Sequence, residues 1–418
     1  MKIKKIIGRE IYDSRGYPTI EAQLFLDDGQ YVTASVPSGA SRGEFEAFEM
    51  RDGGERLMGL GVSKALEIIE QEIAPVLIGK EPDIVMIDAI LVGLDDTPNK
   101  SKLGANAMLA VSCAVLKAQA VMHELELYQL IAHLCGLEQV TLPYPMFNMI
   151  NGGAHADNKL HVQEFMIVPV GLPSFRATME AGTTFFHTLK TILQEHGKTT
   201  AVGDEGGFAP DCDSEKEVLD YLAQAIEQTK KQIPASYIIA LDVASSQFYD
   251  KKKEQYNWYG APIKSDELID LYDNWLEQYP IFSIEDGLSE HDTDGWKKMM
   301  EKLGEKVQLV GDDLFVTSPE RIWAGIENKL ANAAVIKPNQ IGTVTETLQA
   351  IGLCKEHDLN VIVSHRSGDT NDTFIADLAL GTNAGALKAG GCSRGERLAK
   401  YNHLLCIEDM LVLSVLES

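Results

Sequence analysis

The chain has 418 residues, too many for one ordinary compact domain, and a formal net charge of −25 at pH 7. Such acidity argues against a nucleic-acid or anionic-membrane surface, which needs an excess of Lys and Arg; a small anion held by a local cluster of cations stays compatible. Hydrophobic residues make up 45% of the sequence, enough for a large core, and a barrel of roughly 250 residues with a smaller partner fits the length.

Residues 3–12, 19–26 and 30–36 are short β-branched or alternating runs separated by Ser14-Arg15-Gly16 and Asp27-Asp28-Gly29. They predict an antiparallel meander. The basic start breaks at Gly8-Arg9-Glu10 before any apolar signal segment forms. After a Gly- and Ser-rich loop at 37–43, helical spacing predicts helices over 62–73, 83–91 and 105–133. Strands followed by helices predict a separate α+β unit over residues 1–135. The longest apolar stretch, 107–116, stops at Lys117, short of the ~18 residues a membrane span needs. Six cysteines (Cys113, Cys135, Cys212, Cys354, Cys392 and Cys406) form no Cys-x-x-Cys pair and read as thiols of a reducing compartment. The expected location is the cytoplasm, with no transmembrane segment.

From residue 136 a different pattern begins. The apolar runs 237–241, 281–284, 307–311, 333–336, 360–364 and 385–387 are followed at once by Asp242, Glu285, Asp312, Lys337, His365 and Lys388. After the first gap they recur at intervals of roughly 25 residues, about a strand, a helix and two turns. Units of that length predict a parallel sheet, most simply a closed βα barrel over residues 136–418, in a chain of the α/β class. Strand C-termini share one rim of such a barrel, where active sites gather. A doubly wound sheet is the competitor, but no Gly-x-Gly-x-x-Gly follows a first strand.

Asp242, Glu285 and Asp312 at one rim would repel one another unless a cation sat between them, and oxygen ligands without Cys point to Mg²⁺ rather than zinc. Any one of them alone reads as a solvent-facing acid; three in register, with Lys337 and Lys388 on later rims, favour a metal site. A lysine there can neutralise an anionic substrate or, with its pKa lowered by burial and cations, act as a general base. The plain alternative is a lysine whose stem caps a strand end. His365-Arg366-Ser367-Gly368 offers a guanidinium and a hydroxyl for a phosphate. Glu205 sits in the Gly-rich segment 203–210, and Asn151-Gly-Gly-Ala-His155 leads to Gln163-Glu164. Glycine loops are mostly turns, although loops over a barrel mouth also serve as lids. The set points to proton removal beside a metal-bound carboxylate.

Nine segments then name a family by resemblance. Asp13-Ser-Arg-Gly16, Ser38-Gly-Ala-Ser41, Asn151-Gly-Gly-Ala-His-Ala-Asp-Asn158, Gln163-Glu-Phe-Met166, Gly203-Asp-Glu-Gly-Gly-Phe208, Ser283-Ile-Glu-Asp286, Gly311-Asp-Asp313, Asn339-Gln-Ile-Gly-Thr343 and Ser364-His-Arg-Ser-Gly368 resemble those of enolase. They stand in that family's order across nearly the whole chain. One tetrapeptide is weak; the ordered set is specific.

The resemblance implies an N-terminal α+β domain on an eight-fold barrel that opens with a ββαα turn. It implies a lyase of glycolysis and gluconeogenesis, phosphopyruvate hydratase, which reversibly dehydrates 2-phosphoglycerate to phosphoenolpyruvate with two Mg²⁺ per site. A Lys or His base with one or two Mg²⁺ is general to that superfamily. By the same resemblance Lys337 takes the C2 proton, and Glu205, supported by Glu164, protonates the departing C3 hydroxyl. Asp242, Glu285 and Asp312 hold one Mg²⁺, and Ser41 helps bind the second. Arg366 and Ser367 grip phosphate, Lys388 the carboxylate side, and His155 (also a catalytic candidate), Gln163 and His365 line the substrate. A homodimer or larger homo-oligomer is implied as well.

There are departures. Arg42 stands where the family usually has Thr, Ala386, Ala389 and Gly391 replace more usual neighbours of Lys388, and Cys406 replaces an Arg that pairs across the dimer with an N-terminal acid, here Glu21. Two other readings stay open: a related enzyme acting on a different phosphorylated or phosphonylated hydroxy acid, and an idle scaffold or surface-displayed binding protein.

Overall fold

The computed structural model describes residues 1–40 and 43–417; Ser41 and Arg42 lie outside the described residues. Strands β1 (Ile3–Tyr12), β2 (Pro18–Leu26) and β3 (Tyr31–Ser35) form the expected antiparallel meander. Alternation along β2 buries Ile20, Ala22, Leu24 and Leu26 completely, because successive side chains of a strand point to opposite faces. That face packs on the helix Ala105–Met122.

This helix differs from its expectation in two ways. It is long and apolar enough by composition to cross a membrane, yet most of it is buried inside the protein. Its polar interruptions are satisfied internally: Ser112 Oγ accepts from the Val344 N–H at 2.9 Å, and Lys117 pairs with Asp372 at 2.7 Å. It also ends at Met122 instead of running to residue 133. Glu124 takes a left-handed backbone (φ +54), and the Leu125 N–H turns back to the Ala120 carbonyl at 3.0 Å, a helix-stopping arrangement. Glu126 and Gln129 then form a reciprocal cap that starts the next helix, Leu127–Leu134.

The second part is a closed barrel. Its strands, in order around the barrel, are β4 (Tyr144–Asn151), β5 (Glu164–Val170), β6 (Ser236–Asp242), β10 (Ile281–Glu285), β11 (Gln308–Gly311), β12 (Ala333–Ile336), β13 (Asn360–Ser364) and β14 (Ala386–Lys388). Between β6 and β10 the chain makes a small separate sheet of β7 (Tyr249–Asp250), β8 (Gln255–Trp258) and β9 (Ala261–Ile263). β5 runs antiparallel to both its neighbours, and all other barrel pairs are parallel. Helices Phe175–Glu195 and Glu215–Lys230 follow β5, which gives the ββαα opening. Met146, Met166, Val168, Ala240, Val310, Ala333, Val335 and Ile362 fill the interior, so the barrel is a packed core rather than a pore. Outside, the helix Phe175–Glu195 lies so close that a Cβ on Gly182 would come within 2.3 Å of the Phe147 ring.

The two parts meet at Asp88, on the helix Ile84–Asp95. Its Oδ2 accepts the Thr345 N–H at 2.8 Å, capping the barrel helix Val344–Glu356. Burial pushes the Asp88 carboxyl up to about 6, against the lowering effect of its hydrogen bonds with Ser112 and Thr345. The folded state therefore holds this proton more tightly than the unfolded chain, and the contribution of Asp88 to stability falls as pH rises from about 4 to 6. Asp88→Asn keeps an acceptor without the charge. In melts at a series of pH values the variant should gain on the wild type across that window, by up to about 3 kcal/mol, and hold the gain above it; a difference independent of pH would refute the assignment.

Candidate active site

Register brings the functional side chains to one level. Asp242 at the end of β6 pairs with Glu285 at the end of β10, and Ser364 pairs with Lys388. Glu164 pairs with Asp242 although it begins its strand. The reversed direction of β5 is the reason: its first residue, not its last, reaches the rim.

Lys388 lies at the centre. Its Nζ is 2.6 Å from Glu164, 2.8 Å from Asp242 and 2.9 Å from Glu285. The Asp242 and Glu285 carboxylates raise its pKa despite the opposing effect of burial. Gln163 reaches the same place, its Nε2 lying 3.4 Å from Asp242. Asp312 turns the other way, to the Lys337 ammonium and the Gln340 amide. Asp242, Glu285 and Asp312 are thus not one tight triad; two lysines stand among them.

Lys337 departs from the sequence expectation. Burial lowers its pKa, but the Asp312 carboxylate more than offsets this, and the net direction is upward. A lysine held by a buried carboxylate keeps its proton.

The second group is acidic and imidazole-rich. Donor atoms of His155, Glu164 and Glu205 lie within 4.8 Å of one another, and all three residues are buried. The Asn148 amide donates to both acids, at 3.1 Å to Glu164 and 3.2 Å to Glu205. Burial alone would raise the Glu205 carboxyl, yet its neighbours, His155 foremost with Arg397 behind it, outweigh burial and hold it well below the usual carboxylate range.

The donor set fits a divalent cation. Glu164, Asp242, Glu285 and Asp312 are all buried, and the ion pairs given above set only Lys337 and Lys388 against them. Burial and the neighbouring Asp242 push Glu285 up to about 8, the mark of buried negative charge in excess. Hard oxygen donors with surplus charge are what such an ion requires.

Comparison with known proteins decides the family. The family described as "Enolase, C-terminal TIM barrel domain" matches residues 139–415, and "Enolase, N-terminal domain" matches residues 3–131. The chain belongs to the enolase family. It is 50% identical, over 410 residues, to the enolase of Natranaerobius thermophilus, a match covering 98% of this chain and 95% of that protein. Enolases use a divalent metal, in keeping with the acidic groups found here.

The residues expected to hold phosphate, Arg366 and Ser367, face the loop after β3. Arg366 is buried and pairs with Glu46 at 3.0 Å and with Asn339 at 2.9 Å. Ser367 Oγ accepts the Ala40 N–H at 2.6 Å. The loop segment beside Ser41 and Arg42 is therefore held close to the expected phosphate residues, while Ser41 itself, the expected ligand of a second metal, lies outside the described residues.

Sequence reasoning passed over four residues that the fold places in the site: Glu46, Asn148, Asp286 and Arg397. Asp286 was visible only as a second acid after Glu285. Its backbone is left-handed (φ +42), and its carboxylate accepts the N–H groups of Asp312 at 2.9 Å and Asp313 at 2.8 Å. Its own N–H donates to Val310 and its carbonyl accepts from Ser245. Asp286 so braces three neighbouring strand ends, those that carry Asp242, Glu285 and Asp312. Asp286→Ala should weaken divalent-metal affinity about 10–100-fold, the usual effect of removing a partner that orients a ligand. Calorimetric titration with Mg²⁺ measures it, and unchanged affinity would remove Asp286 from this role.

Proposed function

We infer that this enolase is a carbon–oxygen lyase that reversibly removes water from 2-phosphoglycerate to give phosphoenolpyruvate, the glycolytic step of its family. One observation carries the assignment of roles: two buried charge clusters stand at one barrel rim, Lys337 against Asp312, and Lys388 against Glu164, Asp242 and Glu285 with Glu205 beside Glu164. Loss of a C2 proton and a C3 hydroxyl demands a base and an acid held in separate clusters of one site.

Lys337 takes the C2 proton in this reading. With the two acids that raise it, Asp312 and Glu285, engaged as metal ligands, burial, Arg366 and Lys388 would press the Lys337 pKa down. Glu205 starts ionised and has to gain a proton before it can give one. It shares the Asn148 amide with Glu164, and two close carboxylates facing an arriving anion favour uptake of one proton between them. Glu205 then delivers it to the C3 oxygen as the carbon–oxygen bond breaks and water leaves. Lys388 meets the substrate carboxylate, Arg366 and Ser367 the phosphate, and His155, Gln163 and His365 the remaining surface. Two Mg²⁺ would be held here, one by Asp242, Glu285 and Asp312 and one with help from Ser41, and would supply positive charge to offset the negative charge that builds up when C2 loses its proton.

We propose a homodimer or larger homo-oligomer acting in the cytoplasm. Glu21 is engaged within its own chain by Ser35 at 3.2 Å and Arg9 at 3.5 Å, so the usual ion pair to position 406, here Cys406, is replaced locally.

Phosphoenolpyruvate formation from 2-phosphoglycerate, followed with and without Mg²⁺, tests the function: turnover is expected only with the metal, and no product in its presence would sink the reading. Lys337→Ala should abolish exchange of the C2 proton with solvent. Glu205→Gln should spare that exchange while dehydration falls about 100-fold or more; equal loss of both would refute the division of roles.

A further inference from the structure

Arg397 has no part in the reaction as described, yet it is the most enclosed charged side chain near the site, with no exposed surface. Its guanidinium is pinned by carbonyl groups from two loops. Nη1 donates to the Arg366 carbonyl at 2.7 Å, and Nη2 to those of Ser367 at 2.6 Å and Asp204 at 3.0 Å. Nη2 also lies 3.3 Å from Ser14 Oγ, in the turn after β1. Held this way, the group cannot swing aside. Its Nη1 lies 2.6 Å from Nδ1 of His365.

That contact fixes a proton. A guanidinium only donates, so Nδ1 of His365 has to accept, and the one N–H of a neutral imidazole then sits on Nε2. Burial and the nearby positive charge of Arg397 both disfavour the imidazolium, against the opposing pull of Glu205, and hold His365 well below its ordinary pKa. Nε2 is buried and finds no hydrogen-bond partner among the described residues. It faces Glu205 Oε2 at 3.7 Å and Glu164 Oε1 at 3.9 Å, too far for a direct bond. The other charged groups acting on this ring are Lys388 and Lys337. A buried donor left open beside the two acids awaits an acceptor.

We infer that Arg397 is a positioning residue that locks His365 in its neutral Nε2–H form, so that this N–H donates a hydrogen bond to the oxygen leaving from C3 between Glu164 and Glu205. The inference rests on the dehydration proposed above. No proton passes from His365: Glu205 supplies it, and the imidazole keeps its own while stabilising the oxygen as it departs. The signal in sequence was slight, since Arg397 lies far along the chain from His365 and only the fold puts them in contact.

The full-length protein labelled with ¹⁵N-histidine tests this by long-range proton–nitrogen correlation at neutral pH, with His365→Asn used to assign the ring. Wild type should show His365 with Nδ1 bare and Nε2 protonated. Arg397→Lys, which keeps the charge but loses the planar fork, should give a mixture of ring forms. Its kcat for 2-phosphoglycerate should fall about 10–100-fold, with KM changed less. In a His365→Ala background, Arg397→Lys should cost little more, whereas a role confined to holding loops would multiply the two losses and overturn the inference. A proton on Nδ1 in the wild type, or an unaltered ring state in Arg397→Lys, would overturn it too. Should that variant fail to fold, the wild-type spectrum alone still decides the tautomer. The spectra need no substrate: an expected ring state in a wild type inactive on 2-phosphoglycerate would refute the reaction while leaving the hold of Arg397 on His365 standing.

Discussion

The structure depends on keeping a surplus of carboxylates out of water at one end of a barrel. Glu164, Asp242, Glu285 and Asp312 are buried together, and a buried carboxylate is costly unless paired. Lys388 answers three of them and Lys337 the fourth. The upward push on Glu285 shows that the pairing is incomplete. That residual charge is the property on which the proposed divalent-ion site rests.

Several features read as consequences. The barrel interior is plugged by small and branched side chains, which gives the strand ends a rigid base. β5 is reversed, and its reversal delivers Glu164 to the rim from the start of a strand. Asp286 accepts a left-handed backbone and uses both carboxylate oxygens to hold the neighbouring strand end. Strain of that kind persists only where surrounding contacts over-determine it. The Glu164–Glu205 pair is tied by the Asn148 amide and faced by His155 and His365.

The first part of the chain serves the same end. Glu46 pairs with Arg366, and Ala40 donates to Ser367, so the loop after β3 is fastened to the residues assigned to phosphate. Asp88 caps a barrel helix, and Lys117 reaches Asp372. These contacts make the smaller sheet and its helices a cover for the rim.

The rim residues were legible because a βα repeat is periodic: each apolar run announced where its strand ended, and Asp242, Glu285, Asp312, Lys337, His365 and Lys388 stood there. The meander was legible for the same reason, its alternation following the two-residue period of a strand. The break at Glu124 was not, because a left-handed residue can stop a helix without interrupting its apolar spacing. Nor was the depth of the Ala105–Met122 helix, whose Ser112 and Lys117 find partners only across the fold. The sequence by itself determined the family, the barrel and the identity of the acids and lysines, since those follow from local pattern and ordered motifs. Only the tertiary structure decided which lysine answers which carboxylate, why Asp286 and Asn148 matter, and where the proton on His365 resides. Those depend on distances of a few ångströms between residues far apart in the chain, and no local pattern encodes them.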